Sequence, residues 1–270
     1  MREAIKMKRA IMNSPRFFMA MALALFGLAT LSVPAAQALT CSVTPDTIPI
    51  TFSYHGAQLA ITGQSASTDD LVVTITSEPV DTALKNYEKV GGLVWMKKGS
   101  LEFKDAPRVY LLSSTADLSR ILDAAELNRN LLGFDALRGH IRIEDSKGNP
   151  ADGKWFDEYL KFKKEENVYD MREGAIVRQH GEKGNTYKVD VAWPYQAPPG
   201  IYTVNVVAVR NGKVVERASA NIEVKSTGLV AALSKMAFDQ AGLYGVMAVI
   251  VALLAGLGVG AIFKKGGGSH

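Results

Sequence analysis

Residues 200–224 read GIYTVNVVAVRNGKVVERASANIEV, and this stretch decides the fold. β-Branched residues are frequent on both sides of Asn211-Gly212. The Asn-Gly pair tolerates the positive φ angles of a type I′ turn, whose twist suits two antiparallel strands. The stretch therefore predicts a β-hairpin that joins Gly200–Val209 to Lys213–Val224.

The residues just before this hairpin indicate the kind of structure to which it belongs. Tyr187–Trp193 alternates apolar and polar residues, as a half-buried strand does. Pro198-Pro199 then interrupts the chain before Gly200. A strand, a Pro-Gly corner and a hairpin in this order are typical of the last strands of an immunoglobulin-like sandwich.

Further strands are expected upstream, where β-branched and aromatic residues alternate with polar ones. The first three are predicted to be half-buried, and the first two flank a tight turn at His55-Gly56. The predicted strands are Ile48–Tyr54, Ala57–Thr62, Leu71–Thr76, Leu93–Lys97, Leu101–Phe103, Val109–Ser113 and His140–Ile143.

The middle of the chain departs from this β pattern. Thr115–Asn128 places apolar residues at mostly helical spacing, and Trp155–Glu166 is a second candidate helix. We therefore expect a mainly β fold, an immunoglobulin-like antiparallel β-sandwich over residues 39–228 with a helical insertion at about 115–170. Two smaller β domains are the alternative.

The C-terminal region carries the strongest membrane signal. Ala241–Phe263 holds 23 residues without a charge, which is long enough to cross a bilayer as a tilted helix. Residues 229–240 before it are expected to form a juxtamembrane helix. Because positive residues that flank a span stay in the cytoplasm, Lys264 and Lys265 place the bulk of the chain outside. Residues 264–270 are then a cytoplasmic tail that ends in a linker-like glycine run.

The first 38 residues predict a signal peptide. Basic residues precede the apolar run Phe17–Val33, and Ala36 and Ala38 supply an A-x-A cleavage motif. An uncleaved membrane helix is the alternative, since the apolar run is nearly long enough to span a bilayer. Together the two ends predict a single-pass protein of a bacterial inner membrane, with its bulk in the periplasm and its C-terminus in the cytoplasm.

The charge balance argues against a nucleic-acid partner. The first 38 residues hold five of the 31 basic residues and one of the 27 acidic ones, so equal numbers remain after cleavage. No basic stripe is left to bind phosphates. The single cysteine, Cys41, excludes an intrachain disulfide. Lipidation of Cys41 is the less favoured alternative to a plain thiol, because the residues before it depart from the usual signal.

One face of the predicted span carries small residues at every fourth position. These residues are Ala248, Ala252, Gly256 and Gly260. Small side chains let a second helix approach closely in lipid, although they are also common in membrane spans generally. We expect this face to pack against a second copy of the chain or another integral membrane protein.

Several short segments resemble the uncharacterised transmembrane family Alph_Pro_TM. They are YHGAQLAITG at 54–63, KVGGLVWM at 89–96, SLEF at 100–103, PRVYLLS at 107–113 and PGIYTV at 199–204. The resemblance implies a membrane-anchored exported protein, often encoded beside TauE/SafE-type permeases, and it brings no activity or catalytic residue. The charged stretch 144–173 is longer than the family pattern needs.

No motif in the sequence predicts a chemical reaction. His55, His140 and His180 have no second His or Cys at ligand spacing. The loop Asp145–Gly153 lacks the central Gly and final Glu of a calcium-binding EF-hand. We therefore expect no catalytic residue, no cofactor and no metal.

The leading functional hypothesis is a non-enzymatic accessory protein of a membrane transporter or other membrane complex. The alternative is a periplasmic solute- or ion-binding module that feeds a permease or reports to it. Large aromatic residues would line its pocket, although such residues more often belong to the core. The candidates are Trp95, Tyr110, Trp155 and Trp193.

Overall fold

The computed structural model describes residues 38–66, 69–181 and 184–264. The predicted signal peptide up to residue 37 therefore lies outside the described residues. Within them the chain is mainly β, with several antiparallel sheets and one apolar C-terminal helix, which confirms the predicted fold class.

The described strands are numbered in chain order. They are β1 Ser42–Thr44, β2 Thr47–Ile50, β3 Ala57–Gln64, β4 Asp70–Ser77, β5 Pro79–Val90, β6 Val94–Pro107, β7 Tyr110–Ser114, β8 Arg142–Asp145, β9 Tyr169–Arg172, β10 Val177–Gly181, β11 Gly184–Trp193, β12 Gly200–Arg210 and β13 Lys213–Ser226.

The described helices are numbered in the same way. They are α1 Leu118–Ile121, α2 Ala124–Arg129, α3 Phe134–His140, α4 Lys154–Glu165, α5 Gly228–Asp239 and α6 Ala241–Lys264.

Two sheets contribute to one hydrophobic core. The four-stranded sheet has the order β1-β3-β11-β10, and the six-stranded sheet has the order β2-β13-β12-β4-β7-β9. Apolar side chains of both sheets, such as Ile61, Val189, Val206 and Ile222, are fully buried in the same cluster. Since burial of apolar area is the main force that stabilises a fold, this shared core is what joins the two sheets.

The C-terminal hairpin forms as its sequence predicts. Strands β12 and β13 pair antiparallel from Gly200 opposite Val224 to Arg210 opposite Lys213. Asn211 and Gly212 in the turn have φ angles of 53° and 78°. Such positive φ angles cost little for Gly, which has no Cβ, and are tolerated by Asn and Asp. This explains the Asn-Gly pair.

The start of β12 carries a structural tyrosine. Tyr202 is buried, and its hydroxyl donates a hydrogen bond of 2.6 Å to the carbonyl oxygen of Pro198, four residues upstream. This arrangement is typical of the tyrosine corner of immunoglobulin-like sandwiches. That the two sheets form an immunoglobulin-like sandwich stays a prediction, and this hydrogen bond favours it.

The expected neighbours β2 and β3 lie in different sheets. β2 ends at Ile50 instead of continuing to Tyr54, and it pairs in parallel with the end of β13. β3 pairs instead with β1 and β11. The segment around Gly56 therefore crosses from one sheet to the other, and Gly56 takes a φ of 104° next to the carbonyl oxygen of Trp193.

Strand β4 is buried on both faces, whereas its alternating sequence predicts a half-buried strand. Leu71, Val73 and Ile75 are fully buried on one face of the strand. On the other face Thr74 lies beside a small cavity of about 220 Å³, together with Leu137 of α3. The helices between β7 and β9 cover this second face, so polar threonines lie inside the molecule.

A long β-hairpin replaces two short predicted strands. Leu93–Lys97 and Leu101–Phe103 are parts of one strand, β6, which pairs along its length with β5. Strand β5 is absent from the prediction because Pro79–Val90 alternates charged and small residues with few β-branched ones. Gly91-Gly92, both at positive φ, form the turn between the two strands.

The helices of the middle region lie between residues 118 and 165. Residues 115–128, predicted as one helix, contain α1 and α2, which are separated at Leu122 because its backbone is extended. Leu122 forms an isolated bridge with Gly212, which accounts for this break. Helix α4 covers nearly the same residues as the predicted Trp155–Glu166 helix.

Candidate functional site

Helix α6 is the one element among the described residues that is long and apolar enough to cross a membrane. Ala241–Ala261 has a mean hydropathy of 2.3, and none of this stretch is buried against the rest of the chain. A helix that is apolar on all sides and uncovered is stable in lipid, where its backbone hydrogen bonds are satisfied internally.

A short helix connects the β-rich domain to α6. Helix α5 follows the end of β13 directly, and the N–H of Thr227 before it donates a hydrogen bond of 2.9 Å to the carbonyl oxygen of Ile50. Only Gln240 separates α5 from α6. Because α5 has 12 residues, at about 1.5 Å per residue it spans about 18 Å, which keeps the domain close to the bilayer.

All four small residues of the predicted packing face lie in α6 and are exposed. These are Ala248, Ala252, Gly256 and Gly260. A Cβ atom placed on Gly256 or Gly260 would meet no atom of the chain within 4 Å. The role of this face in helix packing stays a prediction.

The predicted topology and cleavage residues lie at the limits of the described chain. Lys264 is the last residue of α6, and Lys265 is outside the described residues. Ala38 is the first described residue and is exposed, whereas Ala36 is outside the described part. Orientation and cleavage therefore stay predictions.

An aromatic cluster joins the helices to the edge of the six-stranded sheet. The rings of Phe103 and Tyr159 stack at 4.3 Å, and Tyr159 meets Tyr169 edge-on at 5.9 Å. Tyr110 accepts a hydrogen bond from the N–H of Gly133 and donates one to the carbonyl oxygen of Leu131, both 2.8 Å long. Burial raises the pKa of Tyr110 and Tyr169, so these phenols stay neutral and act as structural hydrogen-bonding groups.

Two clefts lie beside this cluster. One, of about 470 Å³, is lined by Phe134, Tyr169 and the two cationic residues Lys164 and Arg172. The other, of about 520 Å³, is lined mostly by apolar residues of α1–α3 and by two acidic residues, Asp135 and Glu173. Asp170 also lines the first cleft, so two cationic residues and one acidic residue face it.

The described side chains among the aromatic residues proposed for a solute pocket lie in different surroundings. Tyr110 is buried in the cluster above, whereas Trp193 is buried against Tyr202 at a centroid distance of 4.7 Å. Trp155 packs partly against the core from α4. The side chain of Trp95 lies outside the described set. Sequence reasoning missed Lys164 and Arg172 because neither lies in a motif, and only the fold brings them to one cleft.

The histidines are also dispersed. His55 is exposed, and its Nδ1 lies 2.7 Å from the carbonyl oxygen of Ser53, while His140 ends α3. His180 belongs to β10, and its side chain lies outside the described set. Among the residues that the structure describes, no three His, Cys, Asp or Glu side chains are grouped to hold a metal ion.

Cys41 lies half-buried beside Tyr187. Burial raises the pKa of its thiol, and a hydrogen bond with Tyr187 partly opposes that shift. A raised pKa leaves less thiolate near neutral pH, and the thiolate is the nucleophile. This environment favours a plain, weakly reactive thiol.

The comparison with known proteins agrees with the membrane helix. Residues 38–265 match the family described as "Putative transmembrane protein (Alph_Pro_TM)". The chain belongs to this family. The Alph_Pro_TM match extends over the whole described domain and through α6. A search of curated proteins found no match to the chain.

Proposed function

We propose that this chain is a non-enzymatic accessory protein that α6 anchors in a bacterial inner membrane. Its β-rich domain lies in the periplasm, its C-terminus lies in the cytoplasm, and it associates with a transporter or another membrane complex. A TauE/SafE-type permease is the first candidate partner because of the family resemblance stated above. A second copy of the chain is the other candidate.

The observation that carries this proposal is the uncovered surface of α6. The helix is exposed along its span. In lipid, helices associate through close packing and not through the hydrophobic effect, so an interface requires small residues that let the two backbones approach. Gly256 and Gly260 supply such a surface, with open space where a side chain would be.

The test is to purify the full-length chain from its native membranes in a mild detergent and to identify bound proteins by mass spectrometry. Replacing both glycines, Gly256→Leu and Gly260→Leu, should reduce the recovered membrane partner about tenfold or more, because each leucine holds the partner helix away. Gly258→Leu makes the same change on the opposite face and is the matched control.

Loss of the partner in the double variant, with retention in Gly258→Leu, supports the proposal. Equal recovery from all three proteins would show that this face is not the docking surface. Crosslinking distinguishes the two candidate partners, since a second copy gives a product of twice the mass of the chain.

A second candidate function, binding of a small anion, has one observation in its favour. Lys164 and Arg172 line the same cleft, and the ammonium of Lys164 lies 4.5 Å from the ring centre of Phe134. Arg172 also contacts Asp170 at 3.1 Å, which reduces the net positive charge of the cleft. The accessory function is therefore preferred.

A thermal-shift measurement tests this second candidate. Sulfite, sulfonates and divalent cations are each added to the full-length protein, since a ligand that binds the folded state raises its melting temperature. A shift with sulfite that Lys164→Ala abolishes, and that Lys161→Ala on the outside of α4 retains, would favour anion binding. The absence of any shift would remove this candidate.

A further inference from the structure

The long hairpin of β5 and β6 extends beyond the sheet at its base. Strand β8 pairs with β6 only between Leu101 and Lys104, so residues 85–100 form a ribbon of two strands. We call residues 85–100 the outer ribbon. At about 3.3 Å per residue it extends roughly 20 Å past the third strand.

The tip of the outer ribbon exposes apolar side chains. Leu93, Val94 and Met96 are 89%, 60% and 54% exposed. At the base of the same hairpin, Leu84 lies opposite Leu101, and both pack into the core. Because a two-stranded ribbon has no core of its own, these exposed residues at its tip can be buried only by something outside the described domain.

The outer ribbon is also rich in lysine. The outer ribbon contains Lys85, Lys89, Lys97 and Lys98 against a single acid, Glu88, whereas the chain after residue 38 is neutral as a whole. Each lysine is separated from the Gly91-Gly92 turn by at least one apolar residue, and the exposed Tyr87 lies opposite Lys97. Lys89 is nearer to the turn than Tyr87, and Lys97 is level with Tyr87. An apolar tip with an aromatic residue and lysines directly behind it is a combination that a membrane interface favours.

The base of the hairpin is close to the start of the membrane anchor. Strand β4, which leads into β5, ends at Ser77 next to Tyr202 of β12. Tyr202 in turn lies opposite Ile222, near the end of β13, from which α5 and α6 follow. The hairpin and the anchor therefore leave the same end of the six-stranded sheet.

From these observations we propose that the outer ribbon docks on the surface of a bilayer that carries anionic headgroups. Leu93, Val94 and Met96 enter the interface, and Lys97, which is exposed opposite Tyr87, contacts the headgroup phosphates. Insertion is shallow because the outer backbone edges of two strands have no hydrogen-bonding partners in hydrocarbon. The positive charge beside the tip favours an anionic bilayer over a protein surface, because no feature of the described ribbon is specific for a protein partner.

The experiment places a polarity-sensitive fluorophore at the tip of the full-length chain. Leu93→Cys in a Cys41→Ser background is labelled and reconstituted in nanodiscs, one copy in each disc, with neutral or with anionic phospholipid. Val215→Cys is the matched control, because Val215 is exposed on β13 near the opposite end of the sheet. Collisional quenching by a lipid-borne spin label then reports how closely each position approaches the bilayer.

In anionic discs the label at residue 93 should shift to the blue and be quenched about threefold more than the label at residue 215. Lys97→Gln should lower the ratio of docked to free ribbon about fivefold, and high salt should have the same effect. Each disc holds no membrane protein other than this chain. A water-like signal at residue 93 in anionic discs therefore overturns the proposal, as does a signal that is the same in neutral discs. A label that becomes buried only when a co-purified membrane protein is added would also overturn it, in favour of a protein partner. None of these outcomes depends on the α6 partner, which the glycine variants test separately.

Discussion

The backbone nitrogen of Leu39 lies 2.8 Å from Oε2 of Glu216, in a partly buried contact that joins the start of the domain to β13. Cleavage after Ala38, as the sequence predicts, would make this nitrogen an ammonium group. The contact would then join opposite charges and would be stronger than a neutral hydrogen bond. Glu216→Gln should therefore lower the stability of the processed protein by about 1–2 kcal/mol.

Two measurements test this residue-scale prediction. N-terminal sequencing of the protein from membranes should begin at Leu39, and thermal unfolding should give a lower melting temperature for Glu216→Gln. Glu223→Gln, on the same strand but in an exposed ion pair with Lys225, is the control and should have little effect. A different first residue, or equal melting temperatures for both variants, would contradict the prediction.

At the scale of elements, the sequence predicts those strands and helices whose signal is local. The Asn211-Gly212 turn, the alternation in β3 and the uncharged length of α6 each depend on neighbouring residues alone, and each element forms. Other features depend on what packs nearby. β4 is buried on both faces because helices distant in sequence cover it, and alternation cannot reveal such a cover.

The candidate sites differ in the same way. The small-residue face of α6 can be predicted from the sequence because the helical repeat alone defines it. Lys164 of α4 and Arg172 of β9 line one cleft only because the fold places both elements there. The outer ribbon likewise depends on the pairing of β5 with β6. Gly91-Gly92 is a local signal for that hairpin, since glycine tolerates the positive φ angles that both residues adopt in the turn 91–93.

At the scale of the whole molecule, both of the packed sheets contain buried tyrosines. Burial raises the pKa of Tyr110, Tyr169 and Tyr187, and it raises the pKa of Tyr202 to about 12. In the unfolded chain a tyrosine ionises near pH 10, so above that pH the unfolded state loses protons that the folded state keeps. Stability should therefore be fully retained below about pH 10 and should fall as the pH rises towards 12.

Unfolding in urea at a series of alkaline pH values measures this loss, which should be on the order of 1 kcal/mol for each tyrosine that ionises on unfolding.

Tyr202→Phe keeps the ring and removes the ionisable hydroxyl, so its stability should fall less steeply above about pH 10. At neutral pH the same variant should be about 1 kcal/mol less stable, because the hydrogen bond to Pro198 is lost. Tyr195→Phe alters an exposed ring and serves as the control. If Tyr202→Phe and the unchanged protein lose stability with the same slope, the pKa of Tyr202 is the same in the folded and unfolded states. Burial of its hydroxyl then makes no contribution to the pH dependence of stability.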